Sequence, residues 1–265
     1  MPPLTVYWAL VRAGFRRYST YRQATVAGAT TNVMFGFLRT YGMFAAAAAA
    51  GGVLAGYDRP RLATFVWVSQ GMLATINIWG PPEYAERVRT GDAVTDLLRP
   101  VHPVWQLLAV DLGRAGFALL TRFVAPVVVG ALAFGLYAPA RWSTYPAFAL
   151  SLVLALLVTF GCRHALFCSV HWLLDVRGPM TAWVLFSTLL SGMVFPLWIL
   201  PEPLPALVVY GMPFASMVQA PMDVLVERGD PLRLLLTQAA WAAVALPAAV
   251  LIQRRGERKM VIQGG

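Results

Sequence analysis

The sequence is short of charge, lysine and cysteine. Only 12% of its 265 residues are charged and 58% are hydrophobic, a balance that argues against a water-soluble globular protein. The single lysine, Lys259, has no Gly-Xxx4-Gly before it and no Ser or Thr after it, so it cannot form a P-loop. Cys162 and Cys168 are six residues apart on one predicted helix, too far for a disulfide, and we expect both to be buried apolar residues.

Catalytic and metal-binding patterns are also missing. His164, Cys168 and His171 share a helical face, but they extend about 10 Å along its axis and could not close around one ion without strain. Ser191-Gly192 lacks the preceding glycine of a Gly-Xxx-Ser-Gly motif. We therefore expect no metal site, no catalytic site and no cofactor in this chain. Residues 1–21 lack the apolar core and cleavage site of a signal peptide, so none is expected.

What the sequence does contain is six apolar stretches, each long enough to cross hydrocarbon as a helix. They predict an all-α integral membrane protein with six transmembrane helices in a single domain, residues 1–265. No connection between them is long enough to hold a nucleotide-binding domain. The predicted spans are Ala27–Gly56, Leu62–Gly80, Trp105–Tyr137, Tyr145–Leu166, Met180–Leu200 and Leu234–Ile252.

The net charge of +9 indicates orientation here and not nucleic-acid binding. If the N-terminus is cytoplasmic, the inner segments hold twelve basic residues and the outer segments five. Both termini are therefore predicted in the cytoplasm of a bacterial-type inner membrane. The inner set is Arg12, Arg16, Arg17, Arg22, Arg87, Arg89, Arg99, Arg177, Arg254, Arg255, Arg258 and Lys259, and the outer set is Arg59, Arg61, Arg141, Arg228 and Arg233.

The first element, within residues 1–23, is predicted to be an amphipathic helix over Leu4–Tyr18. Its aromatic residues share one face and its arginines lie away from that face, which fits a helix in the inner membrane interface, bound to lipid. A surface helix packed on the protein itself is the alternative.

Several ionisable residues fall within or near the predicted spans. Arg39 lies in the first span, and either that span is long and tilted with Arg39 turned inward, or residues 24–40 are interfacial. Asp111 and Arg114 are three residues apart and are expected to pair. Asp111, Arg114, Arg163 and His164 are expected at the inner boundary, extending their polar ends towards water. Arg39 and Arg122 are then the better candidates for a transport path, with Arg114 and Asp111 behind them.

The loop over residues 81–103 is bounded by prolines and is the most informative connection. Gly91 and Asp92 predict the start of a short helix, with the Asp92 side chain accepting from exposed amides. Val94, Leu97 and Leu98 give this helix an apolar edge. It is either a surface that docks on a partner or a capped connector.

The outer stretch over residues 201–233 is rich in proline, yet Ala206–Met217 is too apolar for a free loop. A re-entrant hairpin that acts as a gate at the outer mouth is the prediction.

The loop sequence Thr90-Gly-Asp-Ala-Val-Thr-Asp-Leu-Leu-Arg-Pro-Val-His-Pro103 resembles that of the ABC-2-type exporter permeases, in a branch formerly of unknown function. The tail over residues 254–265, a basic turn with a terminal Gly-Gly, is similar too. The likeness covers the whole chain in length, span number and order, but only these two motifs are specific.

The resemblance implies that six helices form half of a transmembrane domain. A second six-helix permease subunit, a related chain or another copy, would pair with it, and an ATP-binding cassette ATPase dimer that binds ATP and Mg would lie beneath. Residues 1–23 would be the connecting helix, residues 81–103 the coupling loop and residues 201–233 the gate. The coupling residues carried over from the motif are Gly91, Asp92, Asp96, Leu97, Arg99 and Pro100, and Glu83, Glu86, Arg87 and Arg89 are added by position.

The function expected from the resemblance is ATP-driven export of an amphipathic, lipid-like or drug-like molecule. A stand-alone ion-coupled carrier or channel is the alternative, for which Arg39, Arg114, Arg122 and Asp111 are the residues that could build a polar path. An intramembrane enzyme is a more distant possibility.

Overall fold

The computed structural model describes residues 3–20, 22–99, 101–173 and 175–259, except for the side chains of Arg22, Ala24, Thr25 and Leu97. Every regular element in these ranges is helical, which confirms the all-α class. Three continuous helical segments are long and apolar enough to cross a membrane: Pro103–Phe134, Thr144–Leu173 and Pro231–Glu257.

The helices follow one another with short connections. They are α1 Leu4–Ser19, α2 Arg22–Ala49, α3 Arg59–Met72, α4 Glu83–Thr90, α5 Ala93–Leu97, α6 Pro103–Ala118, α7 Val124–Phe134, α8 Thr144–Phe167, α9 Val170–Leu173, α10 Arg177–Leu190, α11 Leu204–Gly211, α12 Gln219–Leu225 and α13 Pro231–Glu257. Single π-helical turns over Leu73–Asn77 and Leu119–Phe123 follow α3 and α6, and a 3-10 turn covers Leu197–Ile199.

Helix starts follow local capping chemistry. The Asp58 carboxylate accepts from the Arg61 amide at the start of α3, and the Asp230 carboxylate accepts from the Leu232 amide at the start of α13. Each of these helices has a proline in its first turn, where an amide hydrogen would have no helical partner.

The first helix, α1, packs on α6 of the same protein. At Gly14 of α1 and Gly113 of α6 the two backbones come so close that an added Cβ would overlap the facing carbonyl oxygen. Leu4 and Trp8 remain 87% and 61% exposed. One side of α1 is therefore fixed to α6 while another keeps an apolar surface.

The central helices interlock through small and polar residues. Gly161 of α8 lies against Ala245 of α13, and the Ser151 hydroxyl donates to Gln238 Oε1 at 2.7 Å between the same helices. On the other side α3 packs between α2 and α7, because Gly36 and Gly130 leave room for the Trp67 ring.

Two predicted spans differ from the helices observed. The first was predicted to reach Gly56, but α2 ends at Ala49 because Gly51 and Gly52 adopt positive φ angles of 82° and 98°. The fifth was predicted to reach Leu200, but α10 ends at Leu190. There Gly192 has a φ of 83°, and a Cβ at this position would lie 2.7 Å from Gln219 Oε1. Both differences arise from glycines that turn the chain.

Candidate functional site

The loop between α3 and α6 forms two short helices joined at a glycine. Its first part is α4, which begins after Pro82 with Glu83 and Glu86 in its first turn and ends with Arg87 and Arg89 in its last. Acidic residues at the start and basic residues at the end complement the helix dipole. The segment was expected to be a loop, although that charge order is a recognisable helix signal.

Gly91 makes the corner between the two helices. It adopts the left-handed conformation with a φ of 84°, and its amide donates to the Val88 carbonyl. Helix α5 then begins at Ala93, as predicted, but the predicted cap is wrong. The Asp92 carboxylate makes no hydrogen bond to a helix amide and instead accepts from the Thr90 hydroxyl at 2.9 Å.

A bidentate ion pair holds the two helices together. Arg87 Nε and one terminal nitrogen of Arg87 each lie 2.7 Å from a different Asp96 oxygen. Asp96 is 4% exposed, and Arg99 Nη1 approaches it at 3.9 Å. Asp96 therefore acts within the fold, as the buried anchor of α5, and does not face outward.

The inner side of this pair of helices is fixed to the rest of the protein. Ala85 is fully buried against Phe167 of α8, Val170 of α9 and Val176. The Tyr84 hydroxyl lies 3.0 Å from His171 Nε2, and Arg17 of α1 pairs with Glu83 at 3.4 Å. A displacement of α4 would therefore be transmitted to α1, α8 and α9.

The outer side is exposed and of mixed chemistry. Leu98 is 83% exposed, and the Arg99 side chain is 54% exposed. Gly91 and Asp92 are exposed as well, and Glu86 and Arg89 form a surface ion pair at 3.3 Å. We call Glu86, Arg89, Gly91, Asp92, Leu98 and Arg99 the loop surface. Of the other predicted coupling residues, Leu97 lies in α5 without a described side chain and Pro100 lies outside the described residues.

The charged residues of the predicted spans do not form one group. Asp111 and Arg114 pair at 2.7 Å, as expected, and Arg163 approaches the same carboxylate at 3.6 Å. The expectation that these groups extend into water is wrong, because Arg114 and Arg163 are only 5% and 7% exposed. They donate instead to backbone carbonyls of the π-helical turn at Ala74, Thr75 and Asn77. These hydrogen bonds attach α6 and α8 to the π-helical turn.

Arg39 and Arg122 are not part of that cluster. Helix α2 is continuous across Arg39, in agreement with the placement in which this arginine turns inward. Its guanidinium donates to Gln70 of α3 and to the Met193 and Val194 carbonyls. The Arg122 guanidinium lies beside Gly28 of α2.

The two histidines of the rejected metal pattern have separate partners. His164 Nε2 lies 2.5 Å from Gln253 Oε1, whereas His171 Nε2 meets the Tyr84 hydroxyl. Each ring joins two elements of the bundle.

The opposite end of the bundle is tied together by acidic residues. The Glu227 carboxylate accepts from the Thr144 and Tyr137 hydroxyls, each at 2.6 Å, and from the Ala140 and Arg141 amides, each at 3.0 Å. These hydrogen bonds, above all that of Thr144, hold the Glu227 pKa far below its ordinary value. Deeper in the same end, buried Asp223 of α12 accepts from Tyr57, Trp198 and Gln219.

The geometry can be compared with known families. The family model for "ABC-2 family transporter protein" matches residues 34–264. The chain belongs to this family. It is thus a multi-pass membrane protein and an ABC transporter permease, for which the family implies association with an ATP-binding cassette ATPase. No curated protein matches the sequence significantly.

The family match includes the whole loop between α3 and α6, and it begins after α1. The resemblance drawn from the loop and the tail is therefore confirmed at the level of the family.

Proposed function

We propose that this permease is the membrane subunit of an ATP-driven exporter and that its loop surface rests on the partner ATPase. The observation that carries the proposal is the construction of α4 and α5. A rigid, ion-paired inner side joins three elements of the bundle, while the outer side exposes Leu98, Asp92 and Arg99. An exposed apolar residue ringed by charges is suited to docking on a protein.

The mechanism we propose is mechanical. ATP and Mg²⁺ are bound by the ATPase dimer, whose closure moves the α4–α5 unit. Because Arg87 and Asp96 hold that unit together, and Tyr84 and Ala85 attach it to α8 and α9, the movement passes to the helical bundle. Access to the path then changes between the two sides of the membrane.

For the membrane topology we propose six crossings in a bacterial-type inner membrane with both termini in the cytoplasm. The charge distribution supports this. Arg17, Arg87 and Arg89 lie at the end that holds α4, and Arg61, Arg141 and Arg228 lie at the end that holds Glu227. The three apolar segments account for three crossings, and α2, α3 with its π-helical turn, and α10 supply the other three.

We propose that a second six-helix permease subunit and membrane lipid cover the exposed apolar faces. On α2 these include Met34, Leu38 and Tyr41, which are 67%, 68% and 63% exposed. The region over residues 201–233 is proposed as the outer gate. Its helix α12 is buried against α8 and α13. This burial supports the proposal, because non-helical backbone at membrane depth has to be covered by protein or face a water-filled cavity.

The substrate we propose is amphipathic, lipid-like or drug-like, and is exported through a path between the two subunits. Arg39, Arg122, Arg114 and Asp111 remain the candidates along that path. Arg114 serves first in the fold, since it donates to carbonyls of the π-helical turn and pairs with Asp111.

The test is co-expression with a candidate ATPase and a related permease, followed by purification through a tag on this chain. We expect the ATPase to co-purify and to hydrolyse ATP. An Asp92→Ala/Arg99→Ala variant should reduce that hydrolysis or uncouple it, because both residues belong to the loop surface. Arg177→Ala, which removes an 85% exposed arginine outside the loop surface, is the matched control and should leave hydrolysis unchanged.

A chain that purifies alone and shows no associated hydrolysis would contradict the proposal and favour an ion-coupled carrier. Equal hydrolysis in the loop variant, the Arg177→Ala control and the unaltered chain would leave the family intact and remove the role of the loop surface.

A further inference from the structure

Arg39 lines a cavity of about 280 Å³ between α2, α3 and the turn after α10. Arg39 is partly buried and its Nε atom is fully buried, and no carboxylate is among the hydrogen-bond partners found for it in the described residues. Its hydrogen bonds go to neutral acceptors, among them Gln70 Oε1 at 2.7 Å and Ser69 Oγ at 3.4 Å. Within the described part of the chain Arg39 Nε has no hydrogen-bond partner. The positive charge is therefore uncompensated.

An uncompensated buried arginine is costly, and more so in a membrane. Insertion of an arginine at the centre of a membrane is unfavourable, and a buried charge is tolerated best when it is paired with an opposite one. The packing of α2 on α3 fixes the position of Arg39. Gly36, one turn before Arg39, lies against the Trp67 ring, and this close approach of α2 to α3 brings Arg39 to Gln70. An anionic group in the cavity would pair with the charge of Arg39 and accept a hydrogen bond from its unused Nε–H.

The rest of the lining is suited to an apolar chain with a polar end. Phe35, Leu73 and Trp79 supply aromatic and aliphatic surface, and Asn32 and Thr188 supply polar groups. The Trp79 ring is fixed by a 2.9 Å hydrogen bond from its Nε1 to the Thr188 hydroxyl. Phe35 and Trp79 are 45% and 44% exposed, so the cavity is open on one side. Its volume is close to the lower limit for ligand pockets, about 300 Å³.

We propose that this cavity binds an amphiphile with a single anionic headgroup, a carboxylate or a phosphate. Arg39 pairs with the headgroup, and Phe35, Leu73 and Trp79 contact the first part of the apolar chain, whose remainder leaves through the open side. The inference rests on the proposed transport function and specifies its substrate class. It explains why an arginine without a counter-ion stands beside aromatic rings in a transport protein.

The test uses the purified full chain in phosphatidylcholine nanodiscs and follows tryptophan fluorescence. 12-Bromododecanoic acid should quench it saturably, whereas its uncharged methyl ester should not. Trp79→Phe should remove the saturable part of the quenching. Arg39→Met should raise the half-saturating concentration at least tenfold, Arg39→Lys should raise it by less, and Arg177→Gln should leave it unchanged as the control for net charge.

Two further arms identify the source of the anion. Displacement by dodecyl phosphate alone indicates a mobile amphiphile of the transported kind, whereas equal displacement by phosphatidylglycerol in the nanodisc indicates a membrane lipid. Either result supports the site.

Equal quenching by the acid and its ester, or an unchanged affinity in a folded Arg39→Met chain, would overturn the inference. If Arg39→Met does not fold, the comparison of acid and ester on the unaltered chain decides. Because fluorescence needs no ATPase, a chain that co-purifies with active ATPase but binds no anion would refute this inference alone.

Discussion

At the residue scale the double hydrogen bond between Arg87 and Asp96 is expected to hold α4 and α5 together. Hydrogen bonds to charged groups contribute about 1.5–3 kcal/mol each, and this pair makes two at 2.7 Å with a carboxylate that is 4% exposed. Loss of the pair should therefore be more unfavourable for the buried Asp96 carboxylate than for the Arg87 guanidinium, which is partly exposed to solvent.

We expect Arg87→Met to loosen the two helices because it leaves the buried Asp96 carboxylate without its main partner. Limited trypsin digestion should then cut after Arg89 several times faster than in the unaltered chain. Glu86→Gln, which weakens only the surface pair with Arg89 and keeps the cleavage site, is the control. Unchanged cutting in Arg87→Met would show that the hydrophobic contacts of Ala85 suffice.

At the other end of the bundle Glu227 predicts a pH dependence. Its pKa is lowered in the folded protein, first by the Thr144 hydroxyl and then by that of Tyr137. A lowered folded pKa contributes stability that is fully present above the unfolded value, about 4.3 for glutamate, and is lost as the pH falls. The melting temperature should thus fall below about pH 4, and in Glu227→Gln it should be lower at pH 7 and fall less.

Differential scanning fluorimetry of the detergent-purified chain across pH 3 to 8 measures this. Glu202→Gln is the control, because Glu202 is an exposed residue of the same end. The same loss of melting temperature at low pH in Glu227→Gln as in the unaltered chain would assign the acid sensitivity to other groups.

At the element scale the corner at Gly91 is a matter of backbone geometry. A Cβ at this position would have no atom within 4 Å of it, so any effect of substitution arises from the φ of 84°. A left-handed conformation costs a residue with a Cβ about 1–2 kcal/mol, whereas asparagine tolerates it better.

We therefore expect the ATP hydrolysis of the purified complex to decrease in the order Gly91, Gly91→Asn, Gly91→Ala, Gly91→Val. The asparagine variant is the matched control, since it adds a larger side chain than alanine yet fits the backbone better. A decrease ordered by side-chain size, with asparagine below alanine, would indicate a steric clash with the ATPase and not backbone strain.

The joint between α1 and α6 gives a second test at this scale. An added Cβ at Gly113 would overlap the Val11 carbonyl oxygen, whereas at Gly116, three residues further along α6, it would meet only the Phe15 ring at 3.9 Å. Gly113→Ala should therefore lower the melting temperature and speed up proteolysis within α1, and Gly116→Ala should do neither. Equal behaviour of the two variants would mean that α1 is held mainly by lipid.

The helices show which parts of the fold could be predicted from the sequence. Long apolar runs predict helices reliably because a membrane-crossing helix needs only a sufficient length of apolar residues. α7 lies within the third predicted span, and α8 and α13 contain the fourth and the sixth. Helix ends were less predictable. In the sequence, Gly51, Gly52 and Gly192 cannot be told apart from glycines inside helices. The packing of Gln219 against Gly192 shows why α10 ends near this position.

The candidate site was predictable in position but not in its internal roles. Gly91 and Asp92 marked the corner, whereas Asp96 was grouped with them as a coupling residue. Its buried pairing depends on α4, which the sequence analysis did not recognise. The burial of Arg114 and Arg163 was not predictable either. Both donate to backbone carbonyls of a π-helical turn, and a pattern of side chains in the sequence does not indicate such partners.

At the scale of the whole molecule the two ends of the helical bundle are expected to have different roles. The end with α4, α5 and α1 should meet the ATPase, and the end with Glu227 and Trp142 should face away from it. Trp142 is 87% exposed and so offers a position opposite to Leu98, with matched exposure.

The central claim is tested most directly by site-specific cross-linking to the ATPase. In a chain with Cys162 and Cys168 replaced by alanine, cysteine is introduced by Leu98→Cys or by Trp142→Cys, and a photoactivated cross-linker is attached within the co-purified complex. The account predicts a covalent product with the ATPase from Leu98→Cys and none from Trp142→Cys. A product from Trp142→Cys alone, or none from Leu98→Cys in a complex that hydrolyses ATP, would contradict it.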